Sequence, residues 1–187
     1  MTTFPVHTLE TVPAGARDAL GRIMQSYGFV PNLAGAFAES PAALHGLLGA
    51  IGSFEAKEMT LTAVERQVVL LATSVLNRCR YCAAAHAMLA HKNGLDRGEV
   101  DGLQQGRPLA DGKLEALRRF VEAVVDKRGW VSEGDLEAFL EAGFTRAQVY
   151  EVVFGVALKT LTNYANHIAK PRVNDQFAAF LPTWDGA

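Results

Sequence analysis

The sequence predicts an all-α fold, on three observations. Apolar residues recur at three- and four-residue spacing along nearly the whole chain, strict alternation is almost absent, and helix-start signals return at intervals. Ser40-Pro41 pairs an N-cap with an N1 proline and opens a helix running to about 54. Thr62-x-x-Glu65 is a capping box, after which Val64, Val68, Leu71 and Val75 continue one apolar stripe. Asp96-x-x-Glu99, Ser132-x-x-Asp135 and Thr145-x-x-Gln148 mark three further starts, the middle one with Asp where Glu or Gln is usual. Gly94 and Gly143 stand where C′ glycines end the preceding helices.

A long amphipathic segment fills 113 to about 127, with Leu114, Leu117, Phe120, Val121, Val124 and Val125 as its buried face. A last helix runs from 145 to about 169. Beyond Pro171 no helical period is visible, and Phe177, Phe180, Leu181 and Trp184 point to a tail packed on the body or on a second subunit. The stretch 105–112, with Gly106, Pro108 and Gly112, is a loop and the best hinge between an N-terminal and a C-terminal part. A shift of 81 residues aligns Gln67 with Gln148, Val68 with Val149, Val75 with Val156, Ala84 with Ala165 and His86 with His167. The capping boxes at Thr62 and Thr145 differ by 83 and disagree with that register, so a duplicated helical hairpin is one possibility only.

With 187 residues, 49% of them apolar, the chain is one domain, 1–187, large enough to bury a core. Its net charge of -2 argues against a nucleic-acid partner, which calls for a basic footprint. No apolar run approaches the ~20 residues of a membrane span. Met-Thr-Thr-Phe-Pro-Val-His at the start lacks a secretory pattern, and the expected compartment is the cytoplasm.

The chemistry-bearing stretch is Asn77-Arg78-Cys79-Arg80-Tyr81-Cys82-Ala83-Ala84-Ala85-His86, which holds both cysteines of the chain. If Cys79 begins a helix, Cys82 and His86 follow one and two turns on, along one face. A bridge between such near neighbours closes too small a loop to add much stability, so reversible chemistry explains the pair better. The helix dipole, with Arg78 and Arg80 adding positive potential, favours thiolate over thiol. The thiolate is the nucleophile that attacks a disulfide or a peroxide.

Other readings weigh less. Structural zinc needs four ligands and this segment supplies three. Covalent haem attachment needs His directly after the second Cys, where Ala83 stands. A thioredoxin-type site follows a β-strand, and none is visible. Two ordinary buried cysteines, with His86 a packing residue, remain an alternative on the residues alone.

Leu61-Thr62-x-x-Glu65-Arg66-Gln67-Val68-Val69-Leu70, followed by Cys79-Arg80-Tyr81-Cys82-x-x-x-His86, resembles the core of the carboxymuconolactone decarboxylase and alkylhydroperoxidase D family, in its C-x-x-C-containing, peroxidase-like branch. The core covers about 30–105. A C-terminal half of about 111–170, with Asn163-Tyr164-Ala165-Asn166-His167, looks typical of a two-part branch, and 171–187 is the tail. The resemblance implies an all-α fold assembled as homo-trimers or hexamers, working without a cofactor or metal. It also implies a hydroperoxide substrate and a dithiol reductant of unspecified identity. Carried onto this chain, Cys82 is the peroxidatic residue, Cys79 the resolving one, and His86 part of the proton relay. The dipole alone would instead favour Cys79 as the more acidic thiol.

The family's relay glutamate sits twelve residues before the first cysteine, and that position is Gln67. An amide orients a water but accepts no proton as a base. Glu65, about 200° round the helix, is accounted for by its capping box. Glu151 and His167 are the remaining candidates for a base arriving from elsewhere. A non-catalytic redox sensor and a decarboxylase-like enzyme are the alternative functions.

Overall fold

The computed structural model describes residues 4–185, and among these it contains helices and no strand. The α-helices are α1 (Ala14–Tyr27), α2 (Asn32–Phe37), α3 (Pro41–Phe54), α4 (Ala63–Leu76), α5 (Arg80–Lys92), α6 (Arg97–Gln104), α7 (Gly112–Asp126), α8 (Glu133–Glu141) and α9 (Arg146–Ala169), followed by a 3-10 turn at Asp175–Phe180. The all-α reading is correct.

Local chemistry sets the boundaries. The Ser40 hydroxyl accepts from the Ala43 N–H ahead of Pro41, and the boxes at Thr62/Glu65, Ser132/Asp135 and Thr145/Gln148 are each closed in both directions. At Asp96 only half of the expected box forms. The carboxylate takes the Gly98 N–H, while Glu99 reaches out of its own helix to the Ala110 N–H. Helices α1 and α2 start after Pro13 and Pro31 with no side-chain cap, as α5 does after Cys79, so they lack the signal that marks the remaining helices.

Helix α4 is the hub. Residues 67–74 are all buried, because α5, α7 and α9 pack around it. Leu117, Phe120, Val121 and Val124 of α7 enter this core as their spacing predicts, with Leu114 and Val125 at its margin. Phe139 stacks between Phe120 and Phe144, bringing α8 in as well. The stretch 105–112 is pinned: Leu109 is buried and donates its N–H to Glu115. At Gly155, α9 lies so close that a Cβ would come within 2.7 Å of Val69 and 2.8 Å of Phe54. That approach sets how near the next turns of α9 come to α4 and α5.

The 81-residue echo does not mark a second hairpin. Its first copy spans α4 and α5, whereas its second lies on the uninterrupted 24-residue α9. The tail folds onto the body. Phe177 is buried, edge-on to both Phe29 and Tyr81, and the Trp184 indole donates to the Gln104 carbonyl at 2.8 Å. Phe180 packs on the main core, while Leu181 stays exposed. No helix is long and apolar enough to cross a membrane among the described residues.

Candidate active site

A tight corner between α4 and α5 places the cysteines. Asn77 ends α4, Arg78 takes a left-handed conformation (φ 58), and Cys79 turns extended to become the N-cap of α5, its N–H bonded to the Ser74 carbonyl at 2.9 Å. Cys82 is then the third residue of the helix. Both cysteines are free and buried, and the two residues approach to 3.4 Å. Asn166 of α9 donates from Nδ2 to the Cys82 sulfur at 3.2 Å and lies 3.9 Å from that of Cys79.

The two thiols are driven apart electrostatically. The hydrogen bond from Cys79 holds the Cys82 thiol below its ordinary value against the cost of burial, helped by the charge of Lys159 and by the nearby Asn163 side chain. Cys79, the donor in that bond and itself buried, is pushed up. The neighbours of Cys82 therefore reverse the order that the helix dipole alone would give.

Beside the sulfurs runs a short chain of polar groups. The amide oxygen of Gln67 stands 2.9 Å from His86 Nδ1, and the Nζ of Lys159 stands 2.5 Å from His86 Nε2. With the amide oxygen as acceptor, Nδ1 carries the proton and Nε2 accepts from the ammonium. Burial first, and the Lys159 charge second, hold the imidazole neutral. Burial also lowers Lys159, an effect opposed by the two cysteines. Lys159 is 5% exposed.

A cavity of about 340 Å³ leads to these groups. Gln67, His86, Lys159 and Thr162 are among its polar lining, and Phe29, Leu33, Ile51, Phe54, Leu70 and Phe177 are among its apolar walls. Neither cysteine lines it. Phe29, Leu33 and Phe177 instead pack against the cysteines from the cavity side.

Of the residues singled out in the sequence, Cys79, Cys82, His86 and Gln67 are brought into one region, with His86 bonded to Gln67 and Lys159 and to neither sulfur. Glu65 is elsewhere: it accepts the Thr62 N–H and pairs with Lys113 at 2.8 Å. Burial raises its carboxyl, but those partners outweigh it and the net direction is down. Glu151 holds the Thr60 and Leu61 N–H groups. His167 lies on the exposed side of α9 beside Tyr164, one residue past the buried Asn166 and about 100° round the helix. Arg78 and Arg80 do not face the thiols. Arg78 donates to the Asp185 carbonyl and lies over Trp184, and Arg80 pairs with Asp185 at 3.8 Å. The cation beside the sulfurs is Lys159.

The sequence does not single out Lys159 or Thr162, and it marks Asn163 and Asn166 only as part of the 163–167 motif, with no role at the thiols. Their signal is present all the same: polar residues at 159, 162, 163 and 166 recur at helical spacing inside an apolar run, forming a polar stripe on a buried face. No three His, Cys, Asp or Glu residues are grouped to hold a metal among the described residues.

Residues 38–124 match the model of the carboxymuconolactone decarboxylase family. This stretch is the core over which the chain is similar to that family. The core contains Gln67, Cys79, Cys82 and His86, and ends before the helix that supplies Lys159 and Asn166. Solved structures extend the likeness over the rest. A peroxidase-related protein from Ralstonia eutropha, described as an alkylhydroperoxidase AhpD core, is 25% identical, with 93% of each chain covered and a TM-score of 0.82. A peroxidase-related protein from a Silicibacter species is 19% identical over 94% of this chain and 92% of its own, TM-score 0.81. A debrominase solved with 2,3,4-tribromopyrrole is 14% identical over 96% and 95%, TM-score 0.76. The latter two share the fold. No protein of curated function matches the sequence.

Proposed function

We propose that the chain is a thiol-dependent peroxidase that reduces organic hydroperoxides through the Cys79–Cys82 pair. The observation that carries this reading is a buried pair of cysteines that approach to 3.4 Å, in which the surroundings favour the thiolate of Cys82. In this reading the Cys82 sulfur attacks the terminal oxygen of R–O–O–H and the O–O bond breaks. Cys82 becomes a sulfenic acid, and the departing alkoxide takes up a proton to leave as an alcohol. The Cys79 sulfur then displaces hydroxide from Cys82; that hydroxide leaves as water with the Cys79 proton. The disulfide holds the two electrons lost to the peroxide, and an external dithiol restores both thiols.

The apolar walls of the cavity suit the organic part of the substrate, and Gln67 fixes the His86 tautomer at its polar part. The expected setting is a reducing cytoplasm. The working form is a homo-oligomer: Tyr150, Val153, Leu161, Tyr164 and Ile168 make an exposed apolar stripe along α9.

Thiol titration before and after one equivalent of cumene hydroperoxide, with mass spectrometry of the bridged peptides, tests the reading. Loss of both thiols to one disulfide, with steady turnover on a recycled dithiol, supports it. A disulfide without turnover would make the pair a sensor. Carbon dioxide release from a ring-opened aromatic acid that survives loss of both cysteines would make the chain a decarboxylase. Bromide release from 2,3,4-tribromopyrrole would align it instead with the debrominase that shares its fold.

A further inference from the structure

The reaction above needs a positive charge beside the attacking sulfur and a proton for the leaving oxygen. The candidates singled out in the sequence supply neither. Gln67 is an amide, His86 is held neutral, and Glu65 is occupied by Thr62 and Lys113. Lys159 is the group left unused. It is 5% exposed, a costly position for an ammonium unless an opposite charge stands near. No Asp or Glu forms an ion pair with it among the described residues. Around it stand His86, Cys79 and Cys82 from α5 and the uncharged Gln67 from α4. Glu55 and Lys92 lie on the same cavity.

We propose that Lys159 is the cation that pairs with the Cys82 thiolate in the reduced protein and the acid that protonates the oxygen leaving the hydroperoxide. Its position fits both tasks. The Nζ uses one N–H on His86 Nε2, which leaves two for the sulfur and for a group in the cavity that Lys159 lines. The electrostatic effect of Lys159 on Cys82, and of both cysteines on Lys159, agrees in direction. Gln67 is then coherent with the rest of the site. A carboxylate there would draw the ammonium's charge toward itself through His86; the amide leaves that charge to the sulfur.

The proton balance closes. The thiolate attacks the hydroperoxide, Lys159 gives its proton to the alkoxide, and an amine remains. Disulfide formation uses the Cys79 proton and releases water. When an external dithiol reduces the disulfide, the proton returned to Cys82 passes to the amine and restores the thiolate–ammonium pair. The acid role rests on the peroxidase reading; the ion pair does not.

The test uses the reduced, full-length protein with Lys159→Met, of similar volume and uncharged, and Lys159→Arg, which keeps the charge but gives up no proton near neutrality. The readouts are the rate of iodoacetamide alkylation at Cys82 against pH, resolved from Cys79 by peptide mass spectrometry, and cumene hydroperoxide turnover. Lys159→Met should slow Cys82 alkylation at pH 7 by about ten-fold or more and move its pH midpoint up by about one unit, as loss of a nearby opposite charge requires. Lys159→Arg should keep the alkylation profile and lose turnover. An unchanged profile in Lys159→Met overturns the ion pair, and full turnover in Lys159→Arg overturns the acid role. If the Met variant does not fold, Lys159→Gln carries the same comparison. A wild type that consumes no hydroperoxide while Lys159→Met still shifts the profile would remove the peroxidase reading and the acid role, and leave the ion pair standing.

Discussion

The amide oxygen of Gln67 accepts from Nδ1 of His86 at 2.9 Å, inside the same buried region as Lys159. That contact fixes the imidazole in one tautomer without giving it a charge. Gln67→Glu should therefore change His86 more than it changes the fold. A carboxylate at this distance stabilises the imidazolium and raises its pKa. Proton NMR should show His86 titrating in the neutral range in the variant, while in the wild type it stays neutral well below the ordinary imidazole range. A wild-type His86 that titrates like a free imidazole would contradict the arrangement.

The same buried imidazole makes stability depend on pH. Its folded pKa lies below the unfolded value of ~6.5, so at acid pH the unfolded chain binds a proton that the folded chain refuses. Stability is thus complete above about pH 6.5 and declines as the pH falls, by up to ~1.4 kcal/mol per unit for one proton. Urea unfolding at pH 7 and pH 5 should show a larger loss in the wild type than in His86→Leu. Equal losses would assign the pH dependence to other groups.

The two cysteines should separate cleanly in function. Cys82→Ser should abolish peroxide consumption. Cys79→Ser should leave Cys82 able to oxidise once and accumulate as sulfenic acid, trapped by dimedone. A dimedone adduct on Cys79 in the Cys82→Ser protein would reverse the roles.

Phe177 closes the tail over the thiols, edge-on to Tyr81 and Phe29. Phe177→Ala should cost about 3–5 kcal/mol, the range for a buried aromatic truncated to alanine. It should also make Cys79 react faster with a bulky disulfide reagent. A destabilised variant whose thiols stay equally slow would show that the tail does not limit access.

Since the tail lies against its own body, the surface left for assembly is the outward stripe of α9. Leu161→Glu with Ile168→Glu should lower the sedimentation coefficient of the proposed oligomer without altering circular dichroism. A wild type that sediments as a monomer at micromolar concentration would remove the assembly altogether.

What was legible in the sequence was what is encoded locally. Ser40, Thr62, Ser132 and Thr145 announce their helices because each cap bonds within three residues of itself. The Cys79, Cys82 and His86 spacing is equally local, and Gln67 was placed correctly by its register on α4. Helices α1 and α2, which lack side-chain caps, gave no such sign. The contribution of α9 was missed for a different reason: Lys159 and Asn166 meet the α5 residues across more than 70 positions of chain, and only tertiary packing pairs them. His167 drew attention through an accidental echo, although it sits one residue off the buried face. Arg78 and Arg80 were near in sequence, yet the corner at Arg78 turns them toward the tail.

The amide of Asn166, 3.2 Å from the Cys82 sulfur, has a bearing on redox energetics. Its N–H supports negative charge on sulfur, and such charge exists only while the pair is reduced. In the disulfide the sulfur is neutral and a weak acceptor, so the support lapses there. Stabilising one member of a couple moves the equilibrium toward it, and each ten-fold gain for the dithiol form raises the reduction potential by ~30 mV. Asn166 thereby moves the Cys79–Cys82 couple in the oxidising direction. In the proposed cycle, that shift makes the disulfide easier for an external dithiol to reduce.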